Sequence, residues 1–451
     1  MKVIPAIATL LVICPEIRGY FLRGKRDMEV RRHRVFRKRY LTGQDGNEAE
    51  QSGEEEDSTS SFGTELFSEL CAELPPESNV LISPLSVYQA LALTKAGATV
   101  GSDNEEELQQ ILGSEDIEDE YLSLQEQAEN NDPQADVQLT MATSIWADNL
   151  KPSYVDMAHD DFSAEAMPLP ARYTPVDEWI EKKTKGMIKD MMGGEKLDPL
   201  TVALLVNAVW FKGIWTHEFD PSETTEGTFY LHNDMPERDL DKPQRQVPVA
   251  TNGIQAKFMR SHSNMKVIQE SLVLGNASAV IMDYGKQTSG QPAEFTSMFI
   301  LPASNSIDSM NNVVSGLEMQ SISDLFEEAQ SIDVRLALPR FRLNSGTKKL
   351  KSMLESMGME IAFDINVAHK FDQMSVDPDL YVEDVHHSAC MEVTEEGTEA
   401  SAATVVEIRT RTARPRVYSL TFDRPFVVIV LHRPTGIPLF IGRVENPDFS
   451  F

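Results

Sequence analysis

From about residue 60 to residue 451 the sequence shows no linker, internal repeat or low-complexity break. A stretch of that length is long for a single simple core, and a large sheet with helices packed on it is the natural way to bury it. Apolar residues at helical spacing predict helices over 63–74, 84–93 and 347–357. Residues 104–112 read as a further helix, opened by Asp103 or Asn104 as cap and carrying acids in its first turn. Runs over 201–211, 332–339 and 425–431 read as strands. The expectation is one α+β domain over residues 60–451. A composition of 41% hydrophobic and 25% charged residues agrees with a globular body holding a sizeable core.

The first 59 residues differ in kind. Lys2 precedes an apolar run from Val3 to Cys14, which breaks at Pro15-Glu16. That run is too short to cross a bilayer as a helix but suits the apolar centre of a signal peptide, so residues 1–19 predict secretion, with cleavage after Gly19. Residues 20–59 form a charged arm expected to be disordered. The basic part, 18–39, contains Arg31, Arg32, Arg34, Arg37, Lys38 and Arg39; an acidic, Gly/Ser-rich part follows. Two readings stand together: an arm that binds a polyanion such as heparin or is cut at Lys25-Arg26 or Lys38-Arg39, and a solvated tail.

Several function classes drop out. A net charge of −30 opposes nucleic-acid binding by the main body. No later segment approaches membrane-spanning length. Three cysteines cannot build a disulfide scaffold; Cys14 leaves with the signal, and Cys71 and Cys390 are read as buried free thiols rather than a pair. His386, His387 and Cys390 have poor spacing for a metal, and no further ligand cluster exists. No nucleophile elbow, Walker loop or His-Glu-x-x-His motif is present, so neither catalysis nor a cofactor is expected. Asn276-Ala-Ser278 is a candidate glycosylation sequon.

The most informative segment is Glu395 to Arg416, EEGTEASAATVVEIRTRTARPR. Every second residue from Thr398 gives Thr398, Ala400, Ala402, Thr404, Val406 and Ile408; the interleaved set is Glu399, Ser401, Ala403, Val405, Glu407 and Arg409. One set is small or apolar and the other mostly polar, as in a strand with one buried face. Yet Gly397 and the small residues after it do little to hold a permanent strand. The far end reads as an exposed loop. A segment equally suited to loop and strand suggests a switch.

Seven motifs in order carry a family resemblance: Asn79-Val-Leu-Ile-Ser-Pro-Leu-Ser86 with Gly97-Ala98; Asn207-Ala-Val-Trp-Phe-Lys-Gly-Ile-Trp215 with Phe219; Leu338-Pro-Arg-Phe341; Leu354 to Phe363; His387 to Gly397; Arg424-Pro-Phe426; and Pro438 to Pro447. The chain resembles a serpin from Phe62 to Pro447. The resemblance implies a single domain with a large central mixed sheet, further sheets, about nine helices and an exposed reactive loop. It also implies a suicide mechanism, in which a serine protease attacks the loop and the cut loop inserts as a new strand, trapping the ester-linked protease.

In that frame the hinge is Glu395, Glu396, Gly397, Thr398, Glu399, Ala400, Ser401, Ala402, Ala403 and Thr404. The bait bond falls fourteen positions after the hinge glycine, at Arg411-Thr412, and arginine suits a trypsin-like pocket; Arg409 and Arg414 are rivals. By resemblance Ser83, Ser86, Asn207 and His387 form the polar cluster where the sheet opens, and Trp215, Arg340 and Glu395 line the mouth that receives the loop. The family usually has lysine at the Arg340 position. Its polyanion-activated members often carry basic residues on an early helix, whereas the matching stretch 114–131 is acidic here. A secreted, extracellular monomer that forms a covalent complex with a trypsin-like serine protease is expected. The alternative is a non-inhibitory carrier or chaperone of the same fold, which a hinge lacking bulky, charged-inward or proline residues disfavours.

Overall fold

The computed structural model describes residues 58–113, 121, 123–124, 136–194, 196–198, 201–232, 253–286, 292–344, 346–397 and 417–449, all inside one compact unit, Glu56–Phe451. Helix α1 (Ser58–Glu73) leads to strand β1 (Val80–Ile82), α2 (Pro84–Ala96) and α3 (Asp103–Leu112). Then come β2 (Val137–Ala147), α4 (Pro152–Asp160), β3 (Glu165–Met167), α5 (Thr174–Lys183) and β4 (Ala203–Gly213). The middle holds β5 (Thr225–Tyr230), β6 (Gly253–Ser271), β7 (Ala277–Asp283), β8 (Phe295–Leu301), α6 (Ile307–Met319) and α7 (Ile322–Glu328). The last part holds β9 (Gln330–Pro339), β10 (Phe341–Asn344), β11 (Lys348–Lys349), α8 (Lys351–Ser356) and β12 (Asp384–Val393). It closes with β13 (Tyr418–Thr421), β14 (Phe426–His432) and β15 (Ile437–Val444). Eight α-helices are thus present among the described residues, none long and apolar enough to cross a membrane.

These strands form two sheets. One runs β1-β15-β14-β8-β7-β6-β9-β13, with β5 also on β6; the other runs β10-β12-β4-β2-β3, with β11 also on β12. Strand β4 is buried at every position but Lys212, and β12 at every position but Glu392. Near-continuous burial marks strands covered on both faces. Alternate β4 residues serve two cores: Leu205, Val209 and Phe211 join the main one, while Leu204, Val206 and Ala208 join a smaller one beneath α5 with Trp146, Trp179 and Cys390.

Local chemistry explains most boundaries and corrects two. Helix α2 opens with Ser83 as cap and Pro84 in its first turn and is buried nearly all round, as an interior helix should be. The cap of α3 is Ser102, not Asp103 or Asn104: its extended backbone lets the hydroxyl accept from the Glu105 amide, while Asn104 is turned inward and donates to the Lys370 carbonyl. The helix expected over 347–357 shortens to Lys351–Ser356, because Lys348 and Lys349 pair with His387 and His386 of β12 as β11. Cys71 and Cys390 are free and buried, and burial raises their thiols to about 12 and about 11.

Candidate functional site: the seam between β4 and β12

Strands β4 and β12 are parallel neighbours inside the smaller sheet, flanked by antiparallel β2 and β10. Their ladder runs from Asp384↔Leu204 to Cys390↔Trp210 and stops three residues short of Val393 and Gly213. The unzipped end lies where β12 turns toward Gly397. A strand coming back through that turn would run antiparallel to both β4 and β12. It would exchange one parallel ladder for two antiparallel ones, which are slightly more stable per residue.

Midway along the seam, His387 and Asn207 face each other in register. The Ser83 amide, capable only of donating, gives its hydrogen to His387 Nε2 at 3.1 Å. Nδ1 therefore carries the imidazole proton and donates to Asn207 Oδ1 at 2.9 Å. The Ser86 hydroxyl donates to the same oxygen, and Asn207 Nδ2 donates to the Ser86 carbonyl at 2.8 Å and Thr143 Oγ1 at 3.0 Å. The structure thus brings Ser83, Ser86, Asn207 and His387 together, and adds Thr143 of β2. Complete burial holds the imidazole neutral, with its pKa pushed down to about 3. His387 is tied across the seam to Asn207 and to Ser83 at the head of α2, while Asn207 is also tied to Ser86 of α2 and Thr143 of β2, so parting the two strands breaks the His387–Asn207 bond at the centre of the network.

At the mouth, β12 ends in a tight turn. Thr394 and Gly397 exchange backbone hydrogen bonds of 2.8 and 3.2 Å, and the Thr394 hydroxyl also donates to the Gly397 carbonyl. Gly397 has φ +114°, and a Cβ there would lie 2.2 Å from the Gly213 carbonyl oxygen. Only glycine fits. The Trp215 amide donates to the Glu396 carbonyl at 3.0 Å, the Phe219 amide to that of Glu395 at 2.8 Å, and the Trp215 indole to that of Thr394 at 3.0 Å. Trp215 is buried and stacks on Tyr284 at 4.4 Å. Glu395 is 8% exposed; its carboxylate accepts from the Thr224 hydroxyl at 2.9 Å and faces Arg340 Nη1 at 3.6 Å. A cleft of about 530 Å³ opens beside this pair, walled by Thr224, Lys257, Arg340, Glu395 and Glu396.

The remaining candidates fall elsewhere. Thr398, Glu399, Ala400, Ser401, Ala402, Ala403, Thr404, Arg409, Arg411, Thr412 and Arg414 lie outside the described residues, as do residues 1–57. Of 114–131 only Tyr121, Ser123 and Leu124 are described. Asn276 is exposed in the turn between β6 and β7 with φ +63°. His386 points to the smaller core, away from His387, and its pKa falls to about 4 through burial. No group of three metal-binding side chains occurs among the described residues. Thr143, Thr224 and Tyr284 were not singled out from sequence, since no periodicity distinguishes them from ordinary strand residues.

Comparison with known proteins agrees with this architecture. The family model described as "Serpin (serine protease inhibitor)" matches residues 57–447. Serpin-ZXA of Oryza sativa subsp. japonica is 28% identical over 387 residues, covering 82% of this chain and 90% of the relative. Antithrombin-III of Homo sapiens is 26% identical over 411 residues, covering 86% and 81%. Among solved structures, the thermophilic serpin Tengpin in its native state is 27% identical with a TM-score of 0.70, covering 89% of this chain and 96% of that one. Human thyroxine-binding globulin complexed with its hormone reaches the same TM-score of 0.70 at 21% identity, a likeness of fold alone.

Proposed function

This chain belongs to the serpin family, and from that premise we propose that it inhibits a trypsin-like serine protease by offering Arg411-Thr412 as bait. The observation that supports this most is the interior parallel seam, unzipped at the hinge end and bridged by His387 and Asn207. The protease serine oxygen attacks the Arg411 carbonyl carbon, the bond to Thr412 breaks, and Thr412 departs as a protonated amine. An ester joins Arg411 to the protease. The freed segment from Thr398 then enters the seam with Thr398, Ala400, Ala402 and Thr404 facing the core, and small side chains keep entry fast. Deacylation loses the race because the protease is dragged and deformed first.

Mixing the protein with trypsin and running a denaturing gel tests this. A covalent complex is expected, and Arg411→Ala abolishes it. Clean cleavage near Arg411 without a complex would instead support the carrier or chaperone reading, and a complex that survives Arg411→Ala would move the bait to Arg409 or Arg414.

The further parts of the proposal rest on sequence. Residues 1–19 direct secretion, Asn276 carries a glycan in the extracellular monomer, and the arm at 18–39 binds heparin-like polyanions with affinity that falls steeply with salt.

A further inference from the structure

One exposed face of the larger sheet runs against the charge of the whole chain. Asp and Glu number 71 against 41 Lys and Arg, yet free cations gather on the outer side of β6, β9 and β13. Register fixes which residues share that side, because paired residues and every second residue along a strand point the same way. Arg260, His262 and Lys266 of β6 are exposed there, while the alternate residues over 259–267 are buried or half-buried. In register, β9 sets exposed Arg335 against His262 and half-buried Asp333 against Asn264, and Ser419 of β13 is exposed beside Arg335. Arg260, Lys266 and Arg335 form no ion pair among the described residues; Arg260 Nε donates to the neutral Thr225 hydroxyl at 2.7 Å. The only acid on this side over 260–266, 331–337 and 419–421 is Asp333, whose Oδ1 lies 3.2 Å from His262 Nε2. Arg260 and Lys266 stand about 20 Å apart along the strand, and the three strands are about 10 Å across.

The geometry points to this face as a docking surface for an acidic rim of the protease that takes the bait, a step that rests on the inhibitory reading above. Ser419 lies eight residues after Arg411, and eight extended residues span at most about 29 Å. A protease domain of about 220 residues has a radius of gyration of about 17 Å. The rim of its cleft can therefore stand over this face while the cleft holds Arg411. Carboxylates on a folded rim can meet Arg260, Arg335 and Lys266 one by one. A continuous polyanion fits less well, since its charge would also meet Asp333 and, beyond the face, a chain of net charge −30. Exposed charges of this kind speed encounter more than they deepen binding. Once the Arg411-Thr412 bond is cut, the protease leaves with the inserting segment, so the face selects among proteases without altering the trap.

Pancreatic trypsin occurs in anionic and cationic forms that share an arginine-accepting pocket, and these two forms are the probes. In the full-length protein at low ionic strength, Arg260→Gln/Lys266→Gln/Arg335→Gln is expected to slow covalent complex formation with anionic trypsin about tenfold. The rate with cationic trypsin should change by less than about twofold, and the number of inhibitor molecules consumed per protease should stay the same. A second variant, Lys182→Gln/Lys185→Gln/Lys189→Gln, removes equal charge from α5 and the segment after it and should leave both rates within about twofold. Both variants change exposed side chains and should keep the unfolding midpoint. Equal slowing of the two trypsins, or equal slowing by the two variants, overturns the docking surface and leaves only an effect of net charge. Anhydrotrypsin made from the anionic form, whose serine can no longer acylate, gives a readout that needs no trap. Its dissociation constant should rise about tenfold in the first variant and stay in place in the second. If no covalent complex forms but that difference in affinity is seen, the inhibitory reading fails and the docking surface stands. An unchanged or absent affinity refutes the docking surface whether or not a complex forms. Binding of a heparin octasaccharide that weakens in the first variant, with no such change for anhydrotrypsin, would assign the face to a polyanion and overturn the proposal.

Discussion

Asn207→Ala separates a lock that must open from an ordinary buried network. The side chain takes part in four hydrogen bonds: from His387 Nδ1–H, from the Ser86 hydroxyl, to the Ser86 carbonyl and to Thr143 Oγ1. The serine and threonine hydroxyls can rotate to other partners, but the His387 N–H points at a fixed place and loses its acceptor. With an orphaned buried group costing about 1–3 kcal/mol and a small cavity added, the intact protein should lose roughly 3–5 kcal/mol. After cleavage and insertion the cost differs. Neighbouring strands lie about 4.8 Å apart, so a strand between β4 and β12 puts them about 9.6 Å apart and breaks the His387–Asn207 bond in the wild type as well. The substitution then removes only the links to Ser86 and Thr143, and its cost should fall to about half. Guanidinium unfolding of intact and trypsin-nicked protein, each with and without the substitution, gives the four midpoints needed. Equal losses in the intact and nicked forms would refute the idea that these two strands part.

Acid should loosen the same seam. His387 and His386 titrate at about 3 and about 4 in the folded protein, both depressed by burial, against about 6.5 in an unfolded chain. The unfolded chain therefore binds protons below pH 6.5 that the native one refuses. The contribution of these two histidines is complete above that value and should fall by roughly 2.7 kcal/mol per pH unit on acidification toward pH 4, about half from each. His386→Phe should lower the slope below pH 6.5 by about 1.4 kcal/mol per pH unit, and an unchanged slope contradicts the burial argument. Thr398→Arg should turn inhibitor into substrate, since an inward charge carries a desolvation cost of several kcal/mol; a variant that still forms full covalent complex with trypsin defeats the insertion account. Gly397→Ala places a Cβ 2.2 Å from the Gly213 carbonyl oxygen at φ +114°. It should lower the unfolding free energy of the intact protein by about 1–3 kcal/mol, and an unshifted midpoint would show that the turn relaxes freely.

Sequence periodicity exposed what is local. The strand-like runs of β4 and β14 and the helical spacing of α2 could be read from residues within a few positions of one another. Motif resemblance then singled out Ser83, Ser86, Asn207 and His387, which no pattern links, because the Ser83–His387 bond joins residues 304 positions apart. Neither route could find Thr143, whose value lies wholly in being the β2 residue opposite Asn207. The α3 cap was misplaced for a related reason: Ser102, Asp103 and Asn104 are all good capping residues, and the choice depends on the Lys370 carbonyl that draws Asn104 inward. Lys348 and Lys349 read as the start of a helix because strand pairing with β12 is invisible to helical spacing.

Where the lock sits along the seam bears on how a loop could enter. Counting from the unzipped end, the rungs are Cys390↔Trp210, Ala389↔Val209 and Ser388↔Ala208 before His387↔Asn207 is reached as the fourth of seven. The β12 residues of the first three rungs are small, and none is tied across the seam by a side-chain hydrogen bond. A strand entering at Gly397 can thus displace three rungs for little more than the exchange of one backbone ladder for another. The fourth demands that the Ser86–Asn207–His387 network break, and at that point further backbone bonds must already be forming behind it. An arrangement of this kind lets a short incursion fall back and makes a longer one run to completion. Weakening the network should therefore speed insertion of a severed loop and, in the same molecule, raise the rate at which an unsevered loop enters spontaneously, so inhibitory activity of Asn207→Ala should decay faster on storage than that of the wild type. If activity persists equally long in both, the barrier to entry lies at the mouth, with Trp215, Arg340 and Glu395, and not at the fourth rung.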